Sequence, residues 1–176
     1  MNPMLLEQVD MVMFKEYPEK TQTLISKFFK NLLRDWEASV DKLPEAERKT
    51  SQGRQTINNF KQSKECLKPF FKQIKKSDLP KDILINVTKI CMHMQRREYV
   101  NANDAYLRLA IGNAPWPIGV TMVGIHERSA RERISSSQTA HVLNDEVTRK
   151  WLQAIKRLIT FCQTKYPPAN RSQLMG

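Results

Sequence analysis

Between Thr21 and Val40 the apolar side chains fall at Leu24, Ile25, Phe28, Phe29, Leu32, Leu33, Trp36 and Val40. Steps of three and four place them on one stripe of a helix facing a core. Lys27, Lys30, Arg34 and Asp35 occupy much of the remaining surface. The same period returns along the chain, and this repetition, more than composition, restricts the fold to packed helices. Leu43-Pro44 closes the first stripe, because the residue before proline is pushed out of helical geometry. Glu45 to Gly53 is polar and reads as a loop or a short solvated turn. A second helix is expected from about Gln55, carrying Ile57, Phe60, Leu67, Phe71 and Ile74 inward. Pro69 removes a backbone donor there and should kink or break it.

Ser77-Asp78-Leu79-Pro80 is a stop and a restart, with Pro80 near a first helical position. Ile83, Val87, Ile90, Cys91 and Met94 then recur at helical spacing up to Arg96-Arg97. Asn101 is suited to cap a fourth helix with Asp104 in its first turn. Tyr106, Leu107, Ala110 and Ile111 form the inner face of that helix, and Gly112 terminates it. After an interruption, Asn144 caps the last long helix, whose stripe is Val147, Trp151, Ile155, Leu158, Ile159, Cys162 and Tyr166. Pro167-Pro168 ends it. The expectation is an all-α, five-helix bundle-like domain over residues 17–166. Residues 1–16 form an N-terminal segment apolar enough for a short extra helix, and 167–176 a flexible, fraying tail.

The interruption runs from Gly112 to Leu143. Three of the five glycines and the Pro115-Trp116-Pro117 unit fall within it. Compact domains rarely carry a connection much beyond about 15 residues without a function for it, and loops on a rigid scaffold are where recognition concentrates. Pro115 and Pro117 pre-set backbone torsions, so Trp116 is presented at low entropic cost. Ile118, Val120 and Met122 alternate as in extended chain. Glu127 to Arg133 is strongly polar, and Arg128, Arg131 and Arg133 supply planar donors for phosphate or carboxylate. An apolar half joined to an arginine-rich half suits a segment that threads into another molecule.

Twenty-nine Lys and Arg against eighteen Asp and Glu give a formal charge of +11. Such an excess attracts polyanions and makes nucleic acid or a nucleoprotein assembly the first partner class. Lys61, Lys64, Lys68, Lys72 and Lys75 recur at steps of three and four as one basic stripe, a candidate docking face. Arg149, Lys150, Lys156 and Arg157 on the last helix are a second. Three cysteines, Cys66, Cys91 and Cys162, are widely spread and odd in number, so a reducing compartment is favoured over a disulfide framework. Met1 to Phe14 lacks a basic n-region, and no run of about 20 apolar residues could span a membrane. The expectation is a soluble intracellular protein.

Catalytic templates fail on the residues they need. Gly119 to Gly124 lacks the Lys-Ser/Thr of a phosphate-cradling loop, with Ile125-His126 in its place. Cys91 and His93 are two apart on a helix and point to different faces, and no Cys-x-x-Cys or His-x-x-x-His pair offers metal-ligand spacing. Thr121 or Ser129 with His126 or His141 makes no recognisable nucleophile–base arrangement. The chain reads as non-enzymatic, with no cofactor, metal or small-molecule substrate.

The run Arg97-Glu98-Tyr99-Val100-Asn101-Ala102-Asn103-Asp104-Ala105-Tyr106, then Ala110 through His126, and Ala140-His141-Val142-Leu143-Asn144-Asp145-Glu146 closely resembles the pre-mRNA-splicing factor 18 family. The likeness is dense over about residues 97–165 and continues in register back to Phe28. It implies five helices with a long loop between the fourth and fifth. It also implies a nuclear, spliceosomal factor in the second catalytic step, exon ligation. By the same resemblance, the helices bind a zinc-knuckle second-step factor. The loop reaches the spliceosome's central scaffold protein near the docked 3′ splice site of the pre-mRNA. Carried over, the matching loop positions are Asn113, Pro115, Trp116, Pro117, Gly119, Thr121, Met122, Gly124, His126, Arg128, Arg131 and Glu132. Ser135 to Thr139 departs from the family pattern, and Ala130 stands where glycine is common. Family members usually carry an N-terminal extension with a short splicing-factor motif that nothing before Tyr17 resembles, so a fragment or a shortened member is expected. The competing expectation from charge alone is a generic basic helical RNA-binding protein.

Overall fold

The computed structural model describes residues 2–111 and 145–175. Among them the elements are a 3-10 turn at Pro3–Leu5, then α1 (Met11–Glu16), α2 (Pro18–Asp41), α3 (Glu45–Arg48) and α4 (Ser51–Lys75). There follow α5 (Lys81–Gln95), α6 (Tyr99–Ile111), α7 (Glu146–Lys165) and a last 3-10 turn at Arg171–Gln173. The described residues contain no strand. The all-α architecture matches the expectation, with α2, α4, α5, α6 and α7 as the five long helices and α1 and α3 as short additions.

The stripe on α2 is the spine of the core: Ile25, Phe28, Phe29 and Leu32 are wholly buried. Aromatic rings connect it to its neighbours. Phe29 lies 5.9 Å from Phe70 of α4, which lies 5.0 Å from Trp151 of α7. Nearer the other end, Trp36 meets Phe60 edge-on at 5.5 Å and stacks on Phe161 at 5.5 Å. Ring pairs at these separations contribute beyond their area alone. Phe29 meets Phe70 while Glu37 meets Lys64, so α4 runs antiparallel to α2, and Trp151 meets Phe70 while Arg157 meets Gln62, so α7 runs antiparallel to α4. On α5 the expected residues Ile83, Val87, Ile90, Cys91 and Met94 are all wholly buried.

Several local expectations are corrected. The second long helix begins at Ser51, because Thr50 caps it through Oγ1, which accepts from Gly53 N at 3.0 Å. Part of the polar stretch before it is helix α3. Pro69 does not interrupt α4, which is continuous to Lys75. Leu67 and Phe70 on either side of it are wholly buried and hold the backbone in place, while Glu65, whose carbonyl loses its donor, is exposed. Phe70, not Phe71, is the core residue of that turn. Helix α6 starts at Tyr99, with Ala102 N donating to Glu98 O, so Asn101 is inside the helix and not its cap. Asp145 caps α7, its carboxylate accepting from Val147 N; Asn144 lies outside the described residues.

The two ends of the chain are tied to the bundle. Leu6, Val9 and Phe14 are buried, and Gln95 fastens the N-terminal segment by accepting from Val9 N at 2.9 Å and donating to Glu7 O. Where fraying is expected after Pro168, Met175 instead exchanges two hydrogen bonds with Gln163, through its N at 2.7 Å and its O at 3.2 Å. Among the described residues no helix is long and apolar enough to cross a membrane.

Candidate functional site

The segment from Gly112 to Leu143, with Asn113, Pro115, Trp116, Pro117, Gly119, Thr121, Met122, Gly124, His126, Arg128, Arg131 and Glu132, lies outside the described residues. Its two flanks are described. Tyr99 at the start of α6 donates to the carbonyls of Cys162 and Tyr166 near the end of α7. One turn further along α6, Asn103 accepts from Lys156 Nζ. The two helices therefore run antiparallel, and both ends of the 112–143 segment join the bundle at one pole. At that pole Leu107 and Ile111, expected on the inner face of α6, and Val147, expected on the α7 stripe, are instead exposed, and Ala105, Leu109 and Trp151 carry the core contacts of those turns.

The lysine stripe of α4 borders the groove between α4 and α2. Lys61, Lys64 and Lys68 flank its half toward α3, where Glu37, Asp41 and Glu65 also lie. Lys64 pairs with Glu37 at 3.6 Å and Lys68 with Glu65 at 2.8 Å, so the positive charge there is partly compensated. Lys72 is exposed, and Lys75 lines the other half, with Lys27 and Lys30 of α2. The basic residues of α7 do not form one face. Arg157 turns to α4 and Gln62, whereas Lys156 turns to α6, sitting 5.9 Å from the Tyr106 ring centre with Asn103 Oδ1 at 2.6 Å. Burial pushes the Lys156 ammonium below its ordinary value. Arg149 and Lys150 remain exposed, Lys150 beside Glu146 at 3.3 Å.

At the opposite pole polar groups form a clasp around the buried Tyr99, with Asp35 and Tyr166 half-buried and Arg97 exposed. Tyr99 OH is joined there by Tyr166, whose hydroxyl donates to Asp35 of α2, and by Arg97, whose guanidinium lies 5.8 Å from the Tyr166 ring. Burial, and secondarily Cys162, push the Tyr99 hydroxyl up, and burial, then the bond to Asp35, does the same to Tyr166. Burial holds the Cys162 thiol at about 12 and raises Cys91 as well. Thiols so shifted stay protonated at neutral pH and are poor nucleophiles and poor metal ligands. Among the described residues no three His, Cys, Asp or Glu side chains are grouped to hold a metal. The described chemistry is that of a scaffold with charged grooves.

Two features escape a reading of the sequence. The Tyr99–Tyr166–Asp35 clasp joins residues far apart in the chain, with no local signal. Lys27 and Lys30 are visible as polar positions on α2, but their partnership with Lys75 follows only from the antiparallel packing of α2 on α4.

Comparison with known proteins bears on the whole frame. A family described as the Prp18 domain matches residues 26–168, a range that includes the 112–143 segment. Pre-mRNA-splicing factor 18 of Rattus norvegicus is 49% identical over 148 residues, covering 84% of this chain and 43% of the relative. The protein of that name from Schizosaccharomyces pombe is 40% identical over 164 residues, covering 91% of this chain and 48% of its own length. That from Saccharomyces cerevisiae is 43% identical over 104 residues, or 58% and 41%. The chain thus spans less than half the length of these relatives.

Proposed function

The chain belongs to the Prp18 domain family, and from that membership we propose that it is a non-enzymatic pre-mRNA splicing factor of the nuclear spliceosome, acting in the second catalytic step. The observation that carries this reading is the 49% identity over 148 residues to a relative named for splicing. In the proposed mechanism the helices are a rigid body, and residues 112–143 are the working part. The segment engages the central scaffold protein and stabilises the docked 3′ splice site, while the helical body holds a zinc-knuckle second-step factor. A protein in this position contributes by holding reacting groups in place, which in ideal cases is worth on the order of 7–11 kcal/mol. The placement of both segment ends at one pole supports the division of labour, since the remaining faces of the bundle stay available to a partner.

The test is complementation of a splicing extract depleted of its own factor. The intact chain restores exon ligation; a variant lacking Pro115 to Ile125 retains its helical spectrum and cooperative melting but lets lariat intermediates accumulate. Normal exon ligation by that variant would defeat the proposal.

A further inference from the structure

We propose that residues 169–175 form a reversible strap across the seam between α6 and α7, which when closed withholds Lys156 and Gln163 from a partner of the helical body and when open presents them. Pro167 and Pro168 separate this segment from α7. Both fix φ and neither has an N–H, so the helix cannot continue and the segment turns as a unit. The strap is a self-contained turn: Asn170 Oδ1 accepts from Ser172 N at 3.0 Å, Asn170 O from Gln173 N, and Arg171 O from Leu174 N. Bonds this local survive detachment from the bundle. Among the described residues, its polar contacts with the bundle run through one residue. Met175 N donates to Gln163 Oε1 at 2.7 Å, Gln163 Nε2 donates to Met175 O at 3.2 Å, and Lys156 Nζ lies 2.8 Å from Met175 Sδ. Lys156 and Gln163 stand two turns apart on one face of α7, and Asn103 and Tyr106 supply the α6 side of the seat.

A segment that only completes a core buries a side chain and satisfies its own polar groups; this one does neither. Arg171, Ser172 and Leu174 are exposed, and Gln173 and Met175 no more than half-buried. Gln173 Oε1 is buried without a donor, and opening returns it to water. Closure also dehydrates the Lys156 ammonium, which burial pushes below its ordinary value. In exchange it offers a thioether, a weak acceptor, beside Asn103 Oδ1. Opening thus relieves two polar groups and gives up the contacts of one residue. Segments held on such balanced terms open locally, far below the free energy of global unfolding. The strap also lies beyond residues 26–168, the range matched by the Prp18 domain family, so the helical frame shared with the relatives is built without it. The inference rests on the proposed splicing role only for the existence of a partner. The strap's motion follows from the contacts above and is tested without any splicing component.

Amide hydrogen exchange on the full, unsubstituted chain reads the opening. Met175 N–H should exchange at least about tenfold more slowly than in an unfolded peptide, yet at least about a hundredfold faster than a core amide of α7 such as Ile159. Pulsed acetylation with an N-hydroxysuccinimide ester, followed by peptide mass spectrometry, reads the cover. A lysine with a lowered pKa holds more free amine and, if accessible, reacts faster than its neighbours. Lys156 should nevertheless react at least about fivefold more slowly than the exposed Lys72. Met175→Gly and Gln163→Ala should each raise the Lys156 rate at least about fivefold and leave that of Lys72 unchanged. Both variants should melt within about 3 °C of the parent chain, which a role in the cooperative core would not allow. The inference is overturned if Met175 N–H exchanges as in an unfolded peptide, or only with global unfolding. It is equally overturned if Lys156 reacts as fast as Lys72 in the parent chain, if either variant leaves the Lys156 rate unchanged, or if either melts lower by more than about 3 °C. None of these results touches the complementation assay, so the two proposals fail separately.

Discussion

Two residues at helix ends and one in the core show how single side chains set local energetics. Helix α4 stops where Ser77 takes a left-handed conformation, φ 56°, with Ser77 N donating to Ile74 O and Asp78 N to Gln73 O. Helix α5 stops the same way at Arg97, φ 59°. Glycine normally fills this position because an L side chain there costs roughly 1 kcal/mol. Arg97 recovers some of that through its contacts with Tyr166 and Pro167 O. Ser77, exposed and with no side-chain hydrogen bond to the described residues, recovers none. Ser77→Gly should therefore raise stability by about 0.5–1 kcal/mol in urea unfolding; a loss would contradict the account. In the core, Cys162 offers a test by pH. Its thiol is raised by burial from 9.0 to about 12. Between those values the folded chain keeps a proton that the unfolded chain releases, so stability is full below pH 9 and falls as pH rises. The slope is about 1.4 kcal/mol per pH unit for one such group. Cys91, likewise raised by burial, adds to the fall from the same pH, and Tyr99 and Tyr166, also raised, steepen it above 10.0, where unfolded tyrosine ionises. Urea midpoints should be level up to about pH 9 and drop beyond it, less steeply in Cys162→Ala, which lacks the thiol and whose cavity lowers stability equally at every pH.

At the scale of elements, the α3–α4 junction depends on close backbone approach. Gly53 sits in the first turn of α4, and a Cβ built there would collide with the carbonyl oxygen of Glu47 at the end of α3. In an ordinary helix, replacing glycine by alanine gains about 1 kcal/mol. Here backbone would have to move, so Gly53→Ala should instead destabilise by about 1–3 kcal/mol on thermal or urea unfolding. A gain in stability would show the junction to be looser than described. This junction also shows why some elements are legible from sequence and others are not. The stripes of α2, α5 and α7 repeat over about three turns or more, and burial follows them at all but a few end positions such as Val147, because the core enforces their period. Helix α3 is four residues long without a buried side chain, so no period could reveal it. Pro69 breaks a local rule that packing on both sides of it overrides. Among the candidate site residues, the lysines of α4 were visible as a row. Which of them meet acids and which border an open groove depends on the register of α2 against α4, which no local pattern encodes. The likeness over residues 97–165 reached the family because it is a long string of specific residues, independent of packing.

For the molecule as a whole, charge is the least balanced quantity. The segment from 112 to 144 holds Glu127, Arg128, Arg131, Glu132 and Arg133 as its charged residues, so it accounts for only one of the eleven net positive charges. Nearly all of the excess sits on the helical body. Opposing it are six ion pairs among the described residues, and in the five that involve lysine each side chain is 45% exposed or more. Pairs of that kind contribute about 0–1 kcal/mol each, too little to cancel the mutual repulsion of a body this basic. The sixth, His93 with Glu98, is more enclosed but carries charge only when the imidazole is protonated. If self-repulsion outweighs pairing, screening it should stabilise the fold. Raising sodium chloride from about 20 to about 300 mM shortens the Debye length from roughly 20 Å to below 8 Å, which removes most repulsion between faces of the bundle while sparing contacts within 4 Å. The melting temperature should rise by about 2–4 °C, the shift that about 1 kcal/mol produces in a domain of this size. The same salt weakens any polyanion bound to a surface this basic. A melting temperature that falls with salt would mean that the exposed pairs, and not the net charge, govern the electrostatics of this bundle.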